Sequence, residues 1–484
     1  MSAPTAVPGA TAAPGAKSRQ WLGLLSLVAI YFAVQLLLPR PDTVKPEGWR
    51  LLGIFLAVVA GLMLRPLPGG VIVLMGVTAA AATGALTMAQ ALGGYAHPSV
   101  WLVLAAFLIA RGLIKTGLAR RIALFFVRLF GRSSLGIAYS LILSDVTLAT
   151  TIPSNAARAG GVILPIVRSL SELYGSQPGA TAAMLGTFLF AAVYQGECIA
   201  AAMFLTGQAS NPMAADISRN IAKMEISWAG WLRAGVVPGA LSLLVVPWVV
   251  LRLLPPGIRR TPEAAEFARR ELAALGTPGR AERIVMAVFA GVCGLWLAGP
   301  WHQLSITEVA LLGVAALFLT GVLTWEDALA ERGAWDVFIW YGGVTRMGEA
   351  LHEFGVTRVF AERIGAWFGD LAWAPLLAVT LVIYFYAHYA FASITTHILS
   401  MFPAFLALLL ARGAPPGLAV YAFACLSNLS AGLTHYGTTP SPMFFAHGYV
   451  SFRDWWRVGA AVSVVNLAIW CSAGFLWWKL LRIW

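Results

Sequence analysis

Uncharged apolar runs long enough to cross a lipid bilayer recur along this chain, and they narrow its possible folds more than any other feature. Clear examples are Trp21–Pro39, Gly235–Leu251, Ile284–Gly299, Ala372–Ala387 and Val458–Trp478; a spanning helix needs about 20 residues. Composition closes the soluble alternative. Of 484 residues, 59% are hydrophobic and 11% charged, whereas a soluble domain keeps roughly a quarter of its residues charged. With weaker stretches included, the pattern predicts an all-α polytopic membrane protein of about eleven transmembrane helices plus two shorter re-entrant helical hairpins.

The net charge of +12 does not imply nucleic acid as a partner, because the basic residues sit in short loops between apolar runs, as membrane topology requires. The cysteines Cys198, Cys293, Cys425 and Cys471 lie inside apolar runs without metal-ligand spacing and read as packing residues. No HExxH or GxSxG motif is present, and His352-Glu353 lacks a second histidine, so no catalytic residue, metal site or cofactor is expected. Residues 1–20 are rich in Ala, Pro and Gly and carry Lys17 and Arg19 but no acid. They read as a cytoplasmic tail before a retained first helix, in a bacterial inner membrane, since an organelle transit peptide is longer and richer in Arg and Ser. Trp455, Trp456, Trp477 and Trp478 fit an interfacial aromatic belt.

The chain also repeats itself. Ile114–Gly131 and His352–Gly369 align with Gly117 on Gly355, Arg120 on Arg358, Ala123 on Ala361, and Phe130-Gly131 on Phe368-Gly369. Leu205-Thr206 with Pro212 matches Leu433-Thr434 with Pro440 at the same internal spacing. Two matches in one order indicate a duplication. Charge gives its sense: Lys115–Arg132 holds five basic residues and no acid, while Arg346–Arg363 balances three against three. By the positive-inside rule the first lies in the cytoplasm and the second outside. The expected organisation is a first half over 21–254 with an inner hairpin at about 133–173, a cytoplasmic linker over 255–283 with a short surface helix, and a second half over 284–484 with an outer hairpin at about 371–412. The N-terminus is then cytoplasmic and the C-terminus periplasmic. Oppositely inserted copies are characteristic of secondary transporters.

Such carriers bind substrate where helices break near the midplane. Polar clusters open apolar helices at Ile152–Ile166 and Phe391–Phe405, and Gly, Ser, Thr, Asn and Pro interrupt others at Leu205–Met213 and Leu433–Met443. Hydroxyls, amides and helix N-termini gathered from these breaks suit a small anion. The candidate substrate-binding residues are Ser154, Asn155, Thr206, Gly207, Ser393, Thr395, Thr396, Thr434, Gly437, Thr438 and Thr439. Arg158 and His397 each lie four positions after a tip serine, and a buried cation in a membrane is usually functional; they are candidates for fixed positive charge beside the substrate. Snorkelling or carbonyl capping for Arg158, and a hydrogen-bonded packing role for His397, stand beside that reading. For Asp145, Glu197, His388 and His435 a structural role is the simpler assignment.

PSNAARAGGVILPI, AMFLTGQASNPMAA, WDVFIWYGG, YFYAHYAFASITTHILSMFPAF and SNLSAGLTHYGTTPSPMFFAHGYV closely resemble the divalent anion:sodium symporter family, in particular its citrate/succinate, tartrate/succinate and 2-oxoglutarate/malate exchangers. The resemblance covers roughly residues 20–484. It implies a homodimer in which each protomer moves a transport domain against a scaffold, as an elevator. The family's Ser-Asn-Thr signature maps to Ser154 and Asn155 with Ala156 in place of threonine; the second maps to Ser393 and Thr395 with Ile394 in place of asparagine. Both departures remove oxygen ligands for Na⁺. The implied activity is Na⁺-independent exchange of small di- and tricarboxylates, such as succinate, malate, fumarate, tartrate, citrate or 2-oxoglutarate. An empty site with unpaired cations would then cross the membrane less readily than a loaded one. The alternative is a Na⁺- or H⁺-coupled dicarboxylate symporter.

Overall fold

After an opening helix, α1 (Pro14–Leu37), the chain runs through one order of helices twice. The structure is a computed structural model describing residues 14–484; residues 1–13 of the expected tail lie outside the described residues, and α1 takes up the remainder.

The first copy begins with α2 (Pro46–Leu64), α3 (Gly69–Ala82), the short α4 (Met88–Leu92), α5 (Pro98–Lys115) and the amphipathic α6 (Leu118–Phe130). A hairpin follows: α7 (Ser134–Ala149) leads to a tip, and α8 (Asn155–Arg158) returns through one π turn into α9 (Leu164–Leu173). The halves of a broken helix, α10 (Gly186–Met203) and α11 (Asn211–Ala222), and then α12 (Trp228–Leu253) complete it. After the linker helix α13 (Pro262–Leu275), the second copy starts with α14 (Arg280–Leu297), α15 (Ile306–Leu319), the short α16 (Trp325–Ala330), α17 (Arg332–Glu353) and α18 (Val356–Trp367). Its hairpin is α19 (Trp373–Ala387) and α20 (Ile394–Ala411), its broken helix α21 (Pro416–Leu429) and α22 (Pro440–Ala446), and its last helix α23 (Phe452–Ile469), which runs through a π turn into α24 (Phe475–Leu480). No β-strand occurs among the described residues.

The copies agree in detail. The turns after α3 and α15 both use a left-handed glycine, Gly84 (φ 67°) and Gly321 (φ 71°), a conformation that costs a side-chain-bearing residue more. Thr87 and Thr324 then cap α4 and α16 through reciprocal capping boxes. Gly117 (φ 80°) and Gly355 (φ 84°) repeat the pattern before α6 and α18.

Nine helices among the described residues are long and apolar enough to cross a membrane. Apolar packing divides into two bodies. The larger gathers both hairpins with α10, α12, α14, α15, α21 and α23. The smaller gathers α2, α3, α17 and one side of α5 around Leu51, Val58, Val73, Val77, Tyr341 and Val344. The linker helix lies under α6, where Arg120 meets Glu271 at 2.5 Å, and Arg121 meets Glu282 at the start of α14 at 2.5 Å.

A broken helix frees carbonyls that a bilayer core cannot hydrate, and buried side chains take them up here. Asn211 Nδ2 donates to the carbonyls of Ala201 and Phe204, both at 2.8 Å. In the second break, Tyr194 donates to Ala431 (2.7 Å) and Gln195 to Gly432 (2.9 Å). The break also packs backbone against backbone: a Cβ on Gly459 would stand 2.6 Å from the Leu433 carbonyl and 2.8 Å from that of Gly432. Gly459→Val is therefore expected to cost about 1–3 kcal/mol by overpacking, read as a lowered melting temperature in detergent.

The aromatic belt needs correcting at two positions. Trp455 and Trp478 are buried, and Trp478 Nε1 donates to the Ala234 carbonyl at 2.9 Å. Helix α12 thus supplies the acceptor that a buried indole usually finds, whereas the Trp455 indole N–H has none among the described residues.

Candidate functional site

Each hairpin ends in a serine that caps the returning helix. Ser154 Oγ accepts from the Ala157 N–H at 3.1 Å, and Ser393 Oγ from the Thr396 N–H at 3.5 Å. Helix geometry leaves the first amides of each returning helix without an intrahelical partner; here these are Asn155 and Ala156, and Ile394 and Thr395. All four residues line one cleft of about 720 Å³, a volume typical of small-molecule sites.

That cleft joins elements far apart in sequence. The first hairpin contributes Ser154 and Asn155, the second Ser393, Thr395 and Thr396, and the second break Thr438 and Thr439. Gln208 and Ala209 enter from the first break. The opposite wall comes from the smaller packing body, with Arg65, Phe107, Asp336 and Trp340. The lining is rich in hydroxyls, amides and helix-start N–H groups, which favour anionic oxygens.

Four expected site residues stand behind this wall. Thr206 is buried, donating to the Thr150 carbonyl at 2.5 Å and accepting from Trp228 Nε1 at 2.9 Å. Thr434 is fully buried. The carbonyl of Gly207 accepts from Arg158 at 2.7 Å, and that of Gly437 from His388 at 2.8 Å. The Thr206 hydroxyl and the two glycine carbonyls are thus engaged in holding the unwound backbone, while Thr434 Oγ1 has no hydrogen-bond partner among the described residues.

The two proposed cations are also set back. Arg158 is wholly buried, with Nε 2.8 Å from Asp145 Oδ1 and Nη1 donating to the carbonyls of Ile152 (2.6 Å) and Gly207 (2.7 Å). Its charge is thus matched within the protein, and its fork ties the first hairpin tip to the first break. An empty cleft does not leave this cation unpaired. His397 packs against Tyr384 and Phe391 with ring centroids 4.1 and 5.0 Å away, and its Nδ1 lies 3.1 Å from Nδ1 of His388. When His388 donates from Nε2 to Gly437, its Nδ1 is left to accept, so His397 donates from Nδ1. His388 therefore does for the second tip and break what Arg158 does for the first. Glu197 is buried on α10 with neither carboxylate oxygen hydrogen-bonded, and His435 packs against Tyr436, Phe445 and Phe452.

Sequence reasoning missed Arg65, Gln208 and Asp336. Arg65 sits in a Pro/Gly turn, LRPLPGG, and Asp336 falls inside the WDVFIWYGG stretch. Asp336 Oδ1 accepts from the Gly70 N–H at 3.1 Å, which sets its charge against the start of α3, where the helix dipole favours an anion.

Known proteins with similar sequences cover nearly the whole chain. Dicarboxylate transporter 1, chloroplastic, of Arabidopsis thaliana is 41% identical over 449 residues, 92% of this chain and 81% of that one. The inner membrane protein YbhI of Escherichia coli is 31% identical over 458 residues, 92% of this chain and 95% of its own. The L-tartrate/succinate antiporter of Shigella flexneri is 30% identical over 489 residues, 95% and 98% of the two chains. The crystal structure of the Alcanivorax borkumensis YdaH transporter superposes with a TM-score of 0.51 at 14% identity, covering 96% of this chain and 99% of that one, a likeness of fold alone. The family model for the sodium:sulfate symporter transmembrane region matches residues 18–484. The chain is a multi-pass membrane transporter, not an enzyme, and belongs to the sodium:sulfate symporter family.

Proposed function

We propose that this protein exchanges small di- and tricarboxylates across a bacterial inner membrane without Na⁺, by sliding the hairpin-bearing body against the body built from α2, α3 and α17. The observation that carries the reading is the single cleft shared by both hairpin tips and both helix breaks. Its uncharged donors match carboxylate oxygens, and the relatives described as dicarboxylate transporter and tartrate/succinate antiporter favour that cargo. The Ala156 and Ile394 departures from the family signature favour exchange over sodium symport.

Relative orientation follows from parity. With three crossings counted before each hairpin and two after it, α3 and α15 being short crossings of 14 residues, the copies insert in opposite senses, and α1 brings the total to about eleven. The basic α6 segment and the linker beneath it then lie in the cytoplasm. Lys115, at the end of α5, donates to Asp327 at 2.5 Å just before α17, so the cleft mouth between the α2–α3 turn and the start of α17 opens to that same side. The N-terminus is cytoplasmic and the C-terminus periplasmic in this arrangement, and the working unit is a homodimer.

The test is labelled malate uptake into proteoliposomes. Vesicles preloaded with malate or succinate should take up label, empty vesicles should not, and replacing Na⁺ by choline should change nothing. Equal uptake into empty and loaded vesicles would sink the exchange reading, and uptake into empty vesicles driven by a Na⁺ or H⁺ gradient would establish the symporter instead. Thr395→Val, which removes one cleft hydroxyl at constant shape, should raise KM by roughly 2–10-fold, the size of one neutral hydrogen bond.

A further inference from the structure

Two charged residues line the cleft, and only one has its charge matched. Asp336 accepts the Gly70 N–H at the start of α3. Among the described residues Arg65 meets a neutral partner alone: its Nη2 donates to the Ala392 carbonyl, at the second hairpin tip, at 3.1 Å. Arg65 ends α2 in the left-handed region (φ 49°, ψ 48°), with its N–H bonded to the Gly61 carbonyl at 2.8 Å. A side chain rarely occupies that conformation, and here it turns a guanidinium into the cleft mouth, beside Pro66 and Pro68. Arg158 cannot serve the same purpose, because Asp145 and two carbonyls already hold it.

We propose that Arg65 is a one-sided carboxylate contact, a residue that binds substrate when the site faces the cytoplasm and not when it faces outward. The proposal rests on the exchange reading above. Arg65 ends α2, which packs in the α2–α3–α17 body, whereas the tip serines start helices that pack mainly in the other body, with Leu399 of α20 the hairpin side chain that reaches across. When the hairpin body slides, the tips carry the substrate away and Arg65 stays behind. A guanidinium holding a backbone carbonyl also gives up that bond readily for a carboxylate, since charge-assisted hydrogen bonds are roughly twice as strong as neutral ones. Substrate arriving from the cytoplasm therefore takes over a donor that the empty site spends on Ala392. The consequence is an affinity that differs between the two faces of one membrane.

The test compares Arg65→Gly and Arg65→Lys with the wild type in right-side-out and inside-out membrane vesicles loaded with malate. Glycine suits the left-handed turn better than arginine does, so a folding defect is not expected, and the melting temperature in detergent checks this. Arg65→Gly should raise the malate KM about tenfold at the cytoplasmic face and leave the periplasmic KM unchanged, with Arg65→Lys in between. A rise of equal size at both faces, or at neither, in vesicles that still exchange overturns the proposal. Wild-type vesicles that show no malate exchange overturn the functional reading on which it rests.

Discussion

Asp145→Ala should abolish exchange and sharply reduce the yield of folded protein, although Asp145 lies outside the cleft. The carboxylate and the Arg158 guanidinium are 2.8 Å apart, and their side chains are 2% and 0% exposed. Removing one partner of a buried pair typically costs about 3–5 kcal/mol, because the other charge is left without compensation, and that is a large part of the stability of most folds. Arg158→Ala should be comparably damaging, since it also strands the Ile152 and Gly207 carbonyls. The double variant Asp145→Ala/Arg158→Ala should recover part of the yield of either single one, having no unpaired charge to bury. Detergent size-exclusion profiles and melting temperatures, set beside malate exchange, measure all three. If Arg158 instead served the substrate directly, Asp145→Ala would remain well folded and change mainly KM. A monodisperse, heat-stable Asp145→Ala protein would therefore remove the structural assignment.

Much of the fold was legible in the apolar runs and the turn chemistry, because membrane spans and their breaks leave strong local signals. The repeat extends beyond the two matches given above. Thr83-Gly84-Ala85-Leu86-Thr87 and Thr320-Gly321-Val322-Leu323-Thr324 are plain counterparts, and both build a left-handed turn followed by a capping box. The candidate site was legible only in part. Ser154, Asn155, Ser393, Thr395 and Thr396 from the hairpin tips and Thr438 and Thr439 from the second break line the cleft. Thr206, Gly207 and Gly437 carry the same sequence signal but hold unwound backbone, and Thr434 is buried behind the wall. Polarity marks a break without saying which atoms face the ligand. Spacing likewise pairs Arg158 with His397, one turn behind each serine, whereas the carbonyl of the second break is held by His388, before the tip. The Pro/Gly turn around Arg65 marks only a helix end, because its place at the mouth depends on how α2 and α3 pack against the second hairpin.

Asn155→Asp tests the anion site, and it should reduce malate exchange by about three orders of magnitude in protein that still folds. The change alters a single side-chain atom at a position lining the cleft, where Asn155 Oδ1 has no hydrogen-bond partner. Asn155 is the first residue of the helix that returns from the first tip, and an acidic residue there interacts favourably with the helix dipole. Asn155 is largely buried, so the new charge also carries a desolvation cost that the dipole offsets only in part, and a lowered melting temperature is expected. Transport should not survive, because a new carboxylate about 4 Å from a substrate carboxylate costs about 4 kcal/mol at an effective dielectric constant of about 20, or roughly 10³-fold in binding. Asn155→Ala removes only a neutral donor and acceptor and should lose about tenfold at most. The ordering matters more than either value: aspartate far worse than alanine identifies like-charge repulsion, and so an anion held at this tip. Equal losses for the two variants would mean that Asn155 serves shape alone, and unimpaired exchange by Asn155→Asp would move the substrate carboxylates away from the first hairpin altogether.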